Sequence, residues 1–281
     1  MKTKADFETK NSFLRDEVND HIRLALGKES PQTLFEPMRY TLEAGGKRLR
    51  PVLLLLACQA VGGDYKDALD AAVAVELLHN FTLIHDDVMD NDDRRRGHPT
   101  VHRKWDTNVA ILAGDGLVAL SYRYLLRTKH PDLGRLGSLF SNTLLELCEG
   151  QAYDREFETE RNVALKDYFK MIRKKTGALL SSCGELGALI GGEDEKSVIA
   201  LKEFGLNLGI AFQIQDDLLD VTAEEEQLGK TWGSDIRQKK KTILLIHALN
   251  EASQKDREVI GQILAKPKVE LRDVGDVKSV Y

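Results

Sequence analysis

Apolar positions recur at three- and four-residue intervals almost everywhere along the chain, and nowhere alternate for long enough to specify a strand. Residues 67–88, DALDAAVAVELLHNFTLIHDDV, contain no glycine or proline and predict a long helix. Residues 108–127, 134–154, 165–190, 196–220 and 241–265 predict five more. Several are apolar on more than one side, as central helices of a bundle are. The breaks are short: Gly45-Gly46, Gly62-Gly63, Arg94–Pro99, His130-Pro131 and Gly191-Gly192. No linker separates compositionally different halves. The pattern therefore predicts an all-α fold, a single domain over residues 1–281 built as a bundle of long, mostly antiparallel helices. The longest irregular stretch, 222–240, is polar and then basic, and a loop of that length in a compact bundle is often functional.

Composition narrows the class. The chain has 281 residues, 42% hydrophobic and 30% charged, as in an ordinary soluble globular protein. A net charge of -5 gives no electrostatic reason to bind nucleic acid or an anionic membrane. Cys58, Cys148 and Cys183 are far apart and odd in number, which reads as free thiols in a reducing compartment. The N-terminus lacks the apolar core of a signal peptide, and no apolar run approaches the ~18 residues of a membrane span. The expectation is a cytosolic protein without a membrane span.

Asp86, Asp87 and Asp90 lie at the end of the 67–88 helix, at i,i+3 and i,i+4 spacings that put them on one face. Like charges there repel one another and oppose the helix macrodipole. A divalent cation would resolve both conflicts, and magnesium takes oxygen ligands, commonly one or two carboxylates plus substrate phosphates. Taken alone, the cluster is equally a solvated acidic helix end. Arg94-Arg95-Arg96 follow at once, suited to phosphate oxygens as well as to neutralising the aspartates. Asp216, Asp217 and Asp220 repeat the arrangement at the end of a second apolar helix. Lys230, Arg237, Lys239, Lys240 and Lys241 follow them. Two such coincidences in one helical chain point to a metal–diphosphate complex held by opposed carboxylate faces. Gly45-Gly46-Lys47-Arg48-Leu49-Arg50-Pro51 opens another helix, and its free backbone and three cations predict a second anion site. His79, two turns before Asp86, reads on its own as a core histidine. Lys174, Lys175, Thr176, Gln151 and Asp154 read individually as polar side chains facing solvent.

Together, GGKRLRP, ELLHNFTLIHDDVMDNDDRRRGHPT, ILAGD, EGQAYD, KKTGAL, FQIQDDLLD and GKTWGSD resemble the trans-polyprenyl diphosphate synthase family, in the family's order, from about residue 40 to about residue 245. The resemblance implies a helical isoprenoid-synthase bundle around a central cavity. It implies that Asp86, Asp87, Asp90, Asp216, Asp217 and Asp220 bind three magnesium ions. By the same resemblance, Arg95, Lys175, Lys230 and Lys240 contact an allylic diphosphate. Lys47, Arg50, His79 and Arg96 form the isopentenyl diphosphate site. Thr176 and Gln213 steady the developing cation, and Gln151 and Asp154 support the metals. Lys239 stands where the family often has glycine, which leaves Lys239, Lys240 and Lys241 as alternatives for one diphosphate contact. The chain ends at Tyr281, where the family usually continues through further helices, so its last C-terminal helices are expected to be missing. A homodimer is implied as well.

The reaction this implies is magnesium-assisted ionisation of an allylic diphosphate (dimethylallyl, geranyl or farnesyl), followed by 1'-4 condensation with isopentenyl diphosphate. Asp86, Asp87, Lys175, Thr176, Gln213, Asp216 and Lys230 are the expected catalytic set. Phe81 lies about 7.5 Å before Asp86 along the helix at ~1.5 Å per residue, and its ring could close the product tunnel. With small Thr82 beside it and no insertion in DDVMD, the expected product is geranylgeranyl (C20), with farnesyl (C15) the alternative. A terpene cyclase is disfavoured by FQIQDDLLD and GGKRLRP, and a regulatory subunit by the presence of both aspartate motifs.

Overall fold

The computed structural model describes residues 4–27, 29–160, 162–192, 194–222 and 233–281. Fourteen α-helices are present among them: α1 (Lys4–Leu26), α2 (Gln32–Glu43), α3 (Leu49–Ala60), α4 (Leu69–Met89), α5 (Val101–Lys104), α6 (Thr107–Leu125), α7 (Leu133–Thr159), α8 (Leu165–Ile172), α9 (Ala178–Gly191), α10 (Glu195–Thr222), α11 (Ser234–Arg237), α12 (Ile243–Glu251), α13 (Gln254–Ala265) and α14 (Leu271–Val280). A π-helical turn, Arg173–Gly177, joins α8 to α9. The only strands among the described residues are β1 (Arg94–Arg95) and β2 (His98–Pro99), a minimal antiparallel hairpin. The helices fall into two compact units, one of residues 1–144 and 179–206, the other of 145–178 and 207–281.

In the first unit α4 is the central helix. Its stretch from Ala71 to Leu78 is buried on every side, and it packs most extensively against α6. Glu76 lies within that stretch, 2% exposed, and is tolerated because Arg48 Nη1 donates to its Oε1 at 2.7 Å. Removing either partner of such a pair costs about 3–5 kcal/mol, because the other charge is left buried. Helix α6 starts where Asp106 accepts from the Val109 N–H at 2.8 Å.

In the second unit Tyr168, Met171 and Ile172 of α8 pack on Ile246 of α12, with Ile210 and Ile214 of α10 alongside. Val221, Ile236, Ile263, Val274 and Val277 form a second cluster there. The predicted 241–265 helix is two helices. The chain leaves helical geometry at Ala252, and Ser253 accepts from the Asp256 N–H to start α13. Four residues of the predicted 222–240 loop form α11.

One helix, Glu195–Thr222, is long and apolar enough to cross a membrane by length and composition. It contains the helix expected over 196–220, and Lys202 and Glu203 interrupt its apolar run.

Candidate active site

In the first unit α4 delivers the first aspartate cluster at its C-terminus. Asp90 caps the helix, its N–H donating to the Asp86 carbonyl at 2.8 Å. Asp86 and Asp90 are half-buried and Asp87 is 4% exposed. Burial pushes the Asp87 carboxyl up to about 6 against the pull of Arg95. Arg95 arrives on the hairpin and donates its Nε to Asp87 Oδ1 at 2.5 Å. The guanidinium expected on diphosphate is thus already seated beside the carboxylates.

The glycine-rich loop is bent by positive φ at Gly45 (81°), Gly46 (144°) and Arg48 (51°). Arg48 corrects the sequence reading. It is buried and spends its donors on Glu76, on the Leu42 carbonyl (2.6 Å) and on Asn19 Oδ1 (2.9 Å), so it is a tie and not an anion ligand. Arg96 donates to the Gly45 carbonyl, fastening the arginine hairpin to this loop. Lys47 is exposed, and Arg50 Nη1 lies 3.1 Å from His79 Nε2. Burial, then Arg50, Arg96, Arg95 and Arg48, hold His79 well below the usual imidazole range, so it is neutral and accepts from Arg50. Arg50, His79 and Arg96 are therefore brought together.

Two residues on from His79, the Phe81 ring meets the His85 ring edge-on at 4.7 Å between centroids. Thr82 is half-buried and donates to the His79 carbonyl at 2.7 Å. Gly114 of α6 makes room for that imidazole: a Cβ there would stand 2.2 Å from His85 Nε2. Sequence reasoning did not single out His85, although its place next to Asp86 and four residues after Phe81 was a signal.

In the second unit α10 ends in the second cluster. Asp216 is exposed, while Asp217 and Asp220 are buried. Burial raises the Asp217 carboxyl, opposed by three protein donors: Tyr168 Oη at 2.7 Å, Gln213 Nε2 at 2.9 Å and the Ile243 N–H at 3.3 Å. The last belongs to the N-terminus of α12, which favours an anion. Asp220 Oδ2 accepts the Asp235 N–H at 3.1 Å.

The π turn carries Lys175 and Thr176. Lys175 Nζ pairs with Asp154 at 2.5 Å, and Thr176 Oγ1 donates to Gln213 Oε1 at 2.7 Å. Burial opposes ionisation of Asp154, but Lys175 and Lys240 hold it below the usual carboxylate range. Gln151 lies three residues before Asp154 on α7, half-buried. Gly150 lets α7 meet the turn: a Cβ there would stand 2.2 Å from the Lys175 nitrogen. Of the three neighbouring lysines, Lys239 donates to the Lys266 carbonyl, Lys241 feels Glu160, and Lys240 bears on Asp154. Lys230 lies outside the described residues.

Among the described residues no three His, Cys, Asp or Glu side chains are already gathered as a metal cage. The donor set nonetheless fits magnesium, which needs few protein ligands when phosphate and water complete its shell. Asp86, Asp90 and Asp216 keep solvent-reachable carboxylates, all oxygen donors, with no thiol or imidazole competing in either motif.

The sequence model of one family, polyprenyl synthetase, matches residues 31–281. A geranylgeranyl diphosphate synthase of Methanosarcina mazei is 46% identical over 228 residues, covering 80% of this chain and 70% of that protein. A geranylfarnesyl diphosphate synthase of Natronomonas pharaonis is 42% identical, covering 84% and 75%. The crystal structure of geranylgeranyl pyrophosphate synthetase from Pyrococcus horikoshii superposes with a TM-score of 0.90 at 40% identity, over 98% of this chain and 85% of that one.

Proposed function

The chain belongs to the polyprenyl synthetase family, and on that premise we propose that it condenses isopentenyl diphosphate with an allylic diphosphate to give geranylgeranyl diphosphate. The observation that carries this reading is the repeated arrangement at the ends of α4 and α10. Each ends in an aspartate triad of mixed exposure; Arg95 of the hairpin pairs with the first, and the Lys175-bearing π turn is joined to α10 through Thr176 and Gln213.

Asp86, Asp90 and Asp216 are the carboxylates that would hold magnesium, with Asp87, Asp217 and Asp220 anchoring the motifs from within. Magnesium, when bound, supplies Lewis-acid stabilisation of the departing diphosphate. Arg95, Lys175 and Lys240, with Lys230, take the negative charge that grows on the allylic diphosphate as its C1–O bond breaks. Lys47, Arg50 and Arg96 hold the isopentenyl diphosphate, with neutral His79 orienting Arg50. The isopentenyl double bond then forms the new bond to C1 through its C4. The proton lost from C2 goes to the released diphosphate. Thr176 and Gln213 present oxygen dipoles to the electron-poor carbons, and Gln151 and Asp154 steady the Lys175 side. A cytosolic location and a homodimer belong to the same reading.

The C20 product is supported by Phe81 and Thr82 before the first motif. It is supported too by the names borne by the Methanosarcina and Pyrococcus proteins. The Natronomonas protein's name makes a C25 product the competing outcome. Incubation with labelled isopentenyl diphosphate, magnesium and each allylic primer, followed by chromatography of the dephosphorylated products, tests all of this. A dominant C20 alcohol is expected. A cyclised hydrocarbon formed without isopentenyl diphosphate would overturn the reading.

A further inference from the structure

Tyr168 is the largest fully buried side chain among the described residues, at 1% exposure, and no sequence motif marks it. Its ring packs in the α8–α12 cluster. Its hydroxyl, however, is the first link of a chain of hydrogen bonds: Tyr168 Oη to Asp217 Oδ2, Gln213 Nε2 to Asp217 Oδ1, and Thr176 Oγ1 to Gln213 Oε1. We propose that Tyr168 is a positioning residue for prenyl transfer, fixing through Asp217 the orientation of the Gln213 amide and so the direction of the Thr176 hydroxyl proton. The proposal rests on the roles given above to Thr176 and Gln213.

The direction of each bond follows from which groups can donate. A carboxylate only accepts, so the nitrogen end of the Gln213 amide must face Asp217. The carbonyl end then faces Thr176 and also only accepts, so the Thr176 hydroxyl must donate. Its oxygen keeps both lone pairs for positive charge developing on carbon. Were the amide reversed, its N–H would take a Thr176 lone pair, and the dipole offered to the cation would be reduced. Asp217 can hold the amide only while its own second oxygen is held. Without the Tyr168 hydroxyl, Oδ2 retains among these donors only the Ile243 N–H, at 3.3 Å. The carboxylate could then turn and release the amide.

The experiment is steady-state kinetics of Tyr168→Phe, Thr176→Val and the double variant, alongside calorimetric binding of an unreactive allylic thiolodiphosphate with magnesium. Tyr168→Phe should lower kcat about tenfold, the scale of one lost buried hydrogen bond. KM for both substrates and the affinity for the thiolodiphosphate should stay within about twofold of wild type. The double variant should be no slower than Thr176→Val alone, because both changes break one chain. If Tyr168→Phe does not fold, 4-aminophenylalanine and 4-methylphenylalanine at position 168 carry the same test. Only the first retains a donor and should be the faster of the two. A kcat within twofold of wild type for Tyr168→Phe, equal rates for the two analogues, or multiplicative losses in the double variant would overturn the inference. In each of those cases an active wild type leaves the function reading intact. A wild type inactive with every allylic primer would overturn that reading and this inference together.

Discussion

His79 shows how one half-buried residue links site chemistry to stability. It is neutral in the folded protein because burial and four arginines disfavour its charged form. The unfolded chain binds that proton at a pKa near 6.5. Below that pH the unfolded state therefore holds more protons than the folded state, and stability falls as pH falls. Above it neither state is charged at this position and the contribution is flat. Denaturant titrations between pH 7.5 and 5 should show a loss approaching about 1.4 kcal/mol per pH unit on the acid side. His79→Gln should remove that part of the slope. An unchanged slope would mean that His79 is charged when folded. Phe81 offers a second test at this scale. Phe81→Ala removes the ring set edge-on against His85 and should move the product distribution beyond C20; an unchanged distribution would remove Phe81 as the floor. Phe81 could be singled out from sequence because its signal is local, a spacing from Asp86 on one helix, whereas His79 is marked only by the family resemblance. Arg48 and Tyr168 could not. Arg48 looks like another cation of an anion site until Glu76, 28 residues away, is found against it. Tyr168 acquires meaning only from Asp217, 49 residues away.

At the scale of elements, the long helices were legible because apolar periodicity accumulates over many turns. Their interruptions were less so. The break at Ala252 depends on one serine cap, and the π turn at Arg173–Gly177 leaves no trace in a 3.6-residue period. A π turn of this kind commonly marks a functional site, and this one carries Lys175 and Thr176. Gly150 is its counterpart on α7. In an ordinary helix interior, alanine would be favoured over glycine by about 1 kcal/mol. Here the added carbon would lie 2.2 Å from the Lys175 nitrogen, and backbone cannot step aside as a flexible side chain can. Overpacking of this kind costs about 1–3 kcal/mol. Gly150→Ala should therefore lower Tm by up to ~6 °C and raise KM for the allylic substrate more than KM for isopentenyl diphosphate. A stabilised variant with unaltered kinetics would show that the contact relaxes at no cost.

For the molecule as a whole, the question is whether the two aspartate motifs serve one diphosphate or two. The motifs themselves are legible from sequence, because the same aspartate triad recurs at the ends of two apolar helices, each followed by basic residues. What they share is a matter of long-range assembly and is better read by coupling. If both bind one magnesium–diphosphate complex, Asp86→Ala and Asp216→Ala each lose at least ~100-fold in kcat. The double variant then loses little more than the worse single. Ligand-free stability should hold or rise slightly in each, because a repelling carboxylate has been removed from a helix C-terminus. A ligand at a hundredfold excess over its Kd stabilises the wild type by about 2.7 kcal/mol. With magnesium and an unreactive allylic thiolodiphosphate, that gain should vanish in either single variant. Multiplicative kinetic losses, with each single variant keeping half the ligand-induced stabilisation, would mean two independent anion sites. The allylic diphosphate would then be held by one motif alone.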